Sequence, residues 1–83
     1  MQTKKKSKLE KTNSEKLFLK KLGQKIVEQA GKKQTSIERL AFESDVSKSY
    51  MYGIVKGEAN PSLVILLRIA SCLDVSVQKI LPV

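Results

Sequence analysis

The chain has no histidine, no tryptophan and a single cysteine, Cys72, among its 83 residues. Without histidine, and with one thiol, it offers none of the usual zinc constellations, no disulfide framework and no His-based triad. A lone thiol fits a reducing compartment. Glycine is scarce, with four in the chain, and none stands in a phosphate-loop spacing. No carboxylate pair suggests a cleft for acid–base work. An enzyme is therefore not expected, nor a cofactor or metal. Long apolar runs are also missing: the longest, Leu63 to Leu67, is too short to span a bilayer. The lysines at the start are not followed by a signal-type apolar core, because Lys20 and Lys21 interrupt Leu17-Phe18-Leu19. Gln2 stands where a myristoylation signal needs glycine. A soluble, cytoplasmic protein with no membrane partner is the expectation.

What remains is foldable and basic. The chain is 41% hydrophobic and 29% charged, which places it among globular rather than disordered sequences, and its length suits one small domain. Its net charge of +8 is unevenly placed. Residues 1–33 hold eleven lysines against three glutamates, whereas residues 34–83 hold five basic and five acidic side chains. The excess lies entirely in the first 40% of the chain. A segment of this kind suits a polyanion, either nucleic acid or an anionic surface. A lysine-rich tail that only aids solubility fits the charge equally well.

The pattern along the chain is helical throughout, with no strand-like alternation and no internal repeat. Residues 1–13 read as a flexible basic arm and 14–83 as the folded domain. Thr12 with Glu15 is a capping-box pattern, with Ser14 as an alternative cap. Leu19, Leu22, Ile26 and Ala30 then mark one helix face, and Gly31 is the expected C-terminal stop. Lysines 16, 20, 21 and 25 of this helix read mainly as a solvated face. Thr35 with Glu38 opens a short second helix, roughly 36–43. Asp45 tolerates the left-handed geometry of a tight turn. Ser47 caps a third helix that carries Met51 and Ile54 inward and closes at Gly57. Asn60-Pro61 is expected to cap and begin a fourth helix, running to about Leu73. Its inward stripe would be Leu63, Leu66, Leu67 and Ala70, leaving some of Val64, Ile65, Ile69 and Cys72 outside. Ser76 begins a last short helix, stopped by Pro82. The expected class is all-α with five helices.

One spacing carries function. Counting from Ile37, small Ala41 is fifth, the turn residue Asp45 ninth, and apolar Met51 and Ile54 fifteenth and eighteenth. This order is that of a helix-turn-helix, in which the second helix is offered to the DNA major groove. Residues 22–81 resemble the Cro/repressor-type (XRE-like) helix-turn-helix domains of bacteria and phages. The carriers are Leu22-Gly23, Ile26, Ser36, Leu40-Ala41, Val46-Ser47-Lys48-Ser49, Ile54, Gly57, Asn60-Pro61-Ser62-Leu63, Leu66-Leu67-Arg68-Ile69-Ala70 and Val75-Ser76. The stretch from Leu40 to Ile54 is also similar to controller proteins of restriction–modification systems. Thr3-Lys4-Lys5-Lys6 resembles a repressor's lysine arm.

The resemblance implies a repressor-like fold that binds double-stranded DNA, with a recognition helix spanning about 47–56. The positions matching Lys48, Ser49 and Gly53 are then the candidate base contacts, since lysine donates to guanine and serine to several bases; Tyr52, on the same helix face, is a further candidate, and for Tyr50 and Tyr52 partial core packing fits equally well. Gly53 brings no side chain, and glycine in a helix interior costs about 1 kcal/mol relative to alanine, which hints at a steric reason for it. Ser36, Ser47, Tyr50, Lys56 and the arm residues Lys4, Lys5 and Lys6 are candidate phosphate contacts. Two departures weaken the carried-over contacts: Ile37 replaces a phosphate-binding glutamine, and Val55 replaces a glutamate. Val64 and Ile65 stand where the family is normally polar, and a self-association surface is expected there, giving a homodimer. Cys72 reads as a core or interface residue, and Phe18 and Phe42 as packing groups, Phe42 with part of its ring exposed. A second reading remains open: a helix-turn-helix module that serves mainly as an antitoxin-like protein partner.

Overall fold

The computed structural model describes residues 12–83; lysines 4, 5 and 6 of the arm lie outside them. Four α-helices follow one another: α1 (Asn13–Lys33), α2 (Ile37–Glu43), α3 (Lys48–Val55) and α4 (Leu63–Cys72). A 3-10 turn, Val77–Lys79, ends the fold, and no strand occurs among the described residues. The all-α class is as expected. The fifth element is a single tight turn rather than a helix. The chain between buried Leu73 and buried Ile80 is too short to repay α-helix nucleation, and Ser76 makes no side-chain capping bond.

Each helix begins on a hydroxyl. Thr12 accepts from the Glu15 N–H at 3.1 Å while its own N–H donates to Glu15 Oε1 at 3.2 Å, completing the capping box. Ser36, Ser47 and Ser62 accept from the N–H groups of Arg39, Tyr50 and Ile65 at 3.0, 3.0 and 3.2 Å. Two expected starts are displaced. Thr35 does not open α2, because its N–H closes α1 on the Ala30 carbonyl. Asn60-Pro61 does not open α4: Pro61 is buried ahead of the helix, and Ser62 supplies the cap.

The exits share one geometry. Gln34, Asp45, Gly57 and Asp74 have φ of 61°, 60°, 80° and 63°. The N–H of each following residue returns to the carbonyl five positions back: Thr35 to Ala30, Val46 to Ala41, Glu58 to Gly53 and Val75 to Ala70. These are Schellman closures, which satisfy carbonyls that a helix end leaves open. Asp45 and Gly57 turn where the sequence placed them. Gly31 does not end α1; the helix continues through it and stops at Gln34.

The core draws Leu19, Leu22, Ile26 and Ala30 from α1, Leu40 and Ala41 from α2, and Met51 and Ile54 from α3. It is completed by Leu66, Ile69 and Ala70 of α4, with Leu73 and Ile80. The α4 stripe is rotated from the expected one. Ile69 is fully buried, whereas Leu63, Val64 and Leu67 are 63%, 58% and 50% exposed. Ile65 and Cys72 are partly buried against the core. Phe42, read as a packing residue, is 82% exposed.

Backbone approach fixes how α3 lies on α1. A Cβ at Gly23 would stand 2.3 Å from the Val55 carbonyl oxygen, and one at Gly57 would stand 2.8 Å from Lys20 Cα. Alanine ordinarily favours a helix interior over glycine by about 1 kcal/mol, but forcing packed backbones apart costs about 1–3 kcal/mol. Gly23→Ala is therefore expected to lower the thermal midpoint in calorimetry. Gly31→Ala is expected to raise it, since a Cβ there meets nothing within 4 Å.

Candidate nucleic-acid interface

Helices α2 and α3 are joined by Ser44 to Ser47. Ala41 is 2% exposed, and its small side chain leaves room for the second helix to cross close by. The Ser44 N–H donates to Leu40 O at 2.9 Å and the Val46 N–H to Ala41 O at 3.0 Å, with Asp45 in the left-handed region between them. Met51 and Ile54 are fully buried. Helical spacing therefore sends Lys48, Ser49 and Lys56 to the opposite, solvent-exposed side. Tyr50 is 37% exposed.

Gly53 lies on this side as well. A Cβ there would meet Ala59 Cβ at 3.4 Å, an ordinary contact, so the steric demand that its glycine suggested sits instead at Gly23. Ser36 and Ser47 use their oxygens as helix caps, leaving each hydroxyl proton free to donate. Ile37 packs against the core, which explains how an apolar residue is accommodated at the start of α2.

Tyr52 is held in a way the sequence did not reveal. Its hydroxyl donates to Glu38 Oε2 at 2.7 Å, so the first turn of α2 is tied to the middle of α3. The bond from Tyr52, aided by the backbone N–H of Glu38 and by Lys48 nearby, lowers the Glu38 carboxyl below its ordinary 4.5. The same bond raises the Tyr52 phenol above its ordinary 10.0. In the sequence Glu38 is only a helix-start signal. Its fourteen-residue distance from Tyr52 matches no local pairing rule, so only the fold brings the two together.

The helix-turn-helix family model HTH_3 matches residues 24–80. The chain belongs to the HTH_3 (XRE-type) helix-turn-helix family of DNA-binding regulators. The family is one of regulators, not of enzymes. Among solved structures, the chain is similar to the restriction-modification controller protein C.AhdI from Aeromonas hydrophila, at 39% identity and a TM-score of 0.72. That match covers 75% of this chain and 94% of that one. The clp gene regulator ClgR from Corynebacterium glutamicum shares the fold at 24% identity and TM-score 0.73, over 76% of this chain and 67% of that one. An HTH_3 family transcriptional regulator from Vibrio cholerae does so at 24% identity and TM-score 0.73, over 80% of this chain and 37% of that one. No curated protein matches the chain. Among the described residues, no helix is long and apolar enough to cross a membrane, and no cluster of side chains is suited to a metal.

The Glu38–Tyr52 bond predicts a pH signature. A carboxyl held below its ordinary value stabilises the fold above pH 4.5, and that contribution is lost as pH falls through the folded pKa. A phenol held above 10.0 contributes below that pH and loses its contribution as pH rises through the folded pKa. Tyr52→Phe is thus expected to lower the thermal midpoint at neutral pH. The difference from the wild type should shrink below pH 4.5 and above pH 10; a constant difference in melts from pH 3 to 11 would refute the bond's contribution.

Proposed function

We propose that this chain is a cytoplasmic, sequence-specific transcriptional regulator that places α3 in the DNA major groove as a two-fold dimer. The observation that carries the reading is the sidedness of α3. Met51 and Ile54 are wholly buried, while Lys48, Ser49 and Lys56 remain in solvent and Gly53 is covered only in part. Lys48 and Ser49, at the entrance of α3, are assigned to base edges, where lysine and serine donors read the major groove. The bare backbone at Gly53 allows close approach. Ser36, Ser47, Tyr50, Lys56 and arm lysines 4, 5 and 6 are assigned to phosphates, which position the protein without reading sequence. Tyr52 enters mainly as a brace, because its hydroxyl is engaged by Glu38. The likeness to a restriction-modification controller protein supports a regulatory role.

The test is selection of bound sequences from random duplex DNA at physiological salt, expected to yield a two-fold symmetric consensus. About six neutralised phosphates give a log–log salt slope near −5, at about 0.9 per phosphate. Replacing Lys48 should relax sequence choice, whereas deleting residues 2–8 should weaken all sequences alike. Affinity that stays flat with salt, or a Lys48 variant with unchanged discrimination, would refute the respective claim.

The dimer is assigned to the outer face of α4. Leu63, Val64 and Leu67 expose an apolar patch there with Ile65 at its edge, and such patches mark interfaces. Two recognition helices would then stand roughly 34 Å apart, one DNA turn. Val64→Glu with Leu67→Glu is expected to give a folded monomer by sedimentation, with weakened operator binding; an unchanged dimer would move the interface elsewhere. The second reading, an antitoxin-like protein-interaction module, is favoured by two features: this same face and the exposed Phe42. A tight protein partner together with no enriched DNA sequence would establish it.

A further inference from the structure

The end of α3 opens onto a groove that the recognition helix does not account for. Lys16, Leu17 and Lys20 of α1 line one wall, and Lys56, Gly57 and Glu58 line the other, around about 520 Å³. Its existence follows from the exit of α3. Gly57 reverses the chain at φ 80°, and its backbone comes so near α1 that a Cβ would stand 2.8 Å from Lys20 Cα. That approach sets Lys56, the C-cap of α3, beside Lys20, and Lys16 lies one helical turn away on the same face of α1.

Three lysines therefore line one open groove with a single acidic residue, Glu58. All three lysines are exposed. Among the described residues the only ion pair is Arg39–Glu43, so none of the three is neutralised there. Like charges one turn apart destabilise a helix, and a bound polyanion would relieve that cost. The groove's position identifies the polyanion. It begins where the candidate DNA-reading helix ends, and it leads along α1 toward Thr12, where the lysine-rich N-terminal segment joins the fold.

We propose that Lys16, Lys20 and Lys56 form a second phosphodiester-binding surface that holds DNA backbone flanking the bases under α3. The proposal rests on the DNA-binding reading above and extends it to α1, whose lysines the sequence alone presents as a solvated face. Here Lys16 and Lys20 add affinity without sequence preference, since phosphates position and bases specify.

The test compares the full-length wild type with Lys16→Gln/Lys20→Gln, measuring anisotropy on a selected and a random duplex across a salt series. A second double variant, Lys32→Gln/Lys79→Gln, removes the same charge from exposed sites outside the groove. The groove variant should weaken both duplexes by the same factor and reduce the salt slope by about 2, at about 0.9 per phosphate. On a duplex cut back to the base pairs beneath the recognition helices, it should match the wild type. Unchanged circular-dichroism melts will show that folding is intact. A slope reduction equal to that of the Lys32/Lys79 control would overturn the groove as a site, leaving DNA binding itself standing. Loss confined to the selected duplex would overturn the sequence-independent role. Failure of the wild type to bind any duplex would overturn the DNA reading and this extension with it. If the substitution abolished binding to phosphatidylglycerol vesicles but not to duplex, the groove would belong to lipid and the proposal would fall.

Discussion

The contact on which the arrangement depends is the backbone crossing between α1 and the end of α3. Gly23 lies under the Val55 carbonyl, and Gly57 lies over the backbone of Lys20. Both are positions where one extra carbon would drive two helices apart, so they act as a two-point seat. Fixing α3 at its C-terminal end determines how far its N-terminal end, with Lys48 and Ser49, stands out from the body. A side chain at Gly23 would therefore act on the interface at a distance, by lifting the whole of α3 rather than by removing a donor. The other end of α3 is held separately, by the Asp45 turn, and its middle by the Tyr52–Glu38 bond to α2. Clamping at both ends is what a helix of eight residues requires, because a segment this short is marginal as a helix by itself.

The four helix exits show how the chain achieves tight connections with few glycines. Each places a left-handed residue after the helix and returns the next N–H to a carbonyl five residues back. The accepting residues are Ala30, Ala41, Gly53 and Ala70, all small, so the returning strand of chain can lie close to the helix. Only one of the four turning residues is glycine. At the other three, Gln34, Asp45 and Asp74, the left-handed conformation costs roughly 1–2 kcal/mol apiece by the usual steric argument, less for aspartate, which finds local hydrogen-bonding compensation. The closures must offset that cost through satisfied carbonyls and through the apolar residues they return to the core, Val46 and Val75.

Much of this could be read from the sequence, and the failures have physical causes. The fold class, the Thr12 and Ser47 caps, the Asp45 and Gly57 turns, and the burial of Met51 and Ile54 all follow from local rules that need no tertiary context. The stop at Gly31 was misplaced because glycine marks a left-handed exit only where the chain turns. Ala30 is the carbonyl to which the chain returns, which puts the turn at Gln34. On α4 nearly every residue from Leu63 to Ala70 is apolar. Periodicity then cannot tell the faces apart, and the stripe was rotated toward Leu63 and Leu67. Of the candidate interface, the exposed side of α3 was legible, but the Tyr52–Glu38 bond was not. It joins residues that are neighbours only once the turn has set the crossing of α2 and α3.

The distribution of charge bears on how such a domain can bind DNA at all. Residues 34–83, which contain the whole helix-turn-helix, carry no net charge, and α2 presents Glu38 and Glu43 to solvent. In this half the long-range attraction to a polyanion is therefore weak, and Glu43 is partly compensated by Arg39 at 2.9 Å. Non-specific affinity for DNA is largely electrostatic, and the net excess of eight positive charges that favours it lies in residues 1–33, with Lys48 and Lys56 the exposed basic residues at the two ends of α3. Such a division separates two tasks. Under the proposed reading, a helix-turn-helix half without net charge holds arbitrary sequence weakly, so base contacts would make a larger relative difference between right and wrong sites. A basic flank would then add affinity for DNA without sequence preference. At the crossing of Gly57 and Lys20 the two halves meet, and there lysines of the basic first half stand beside the C-terminal end of α3.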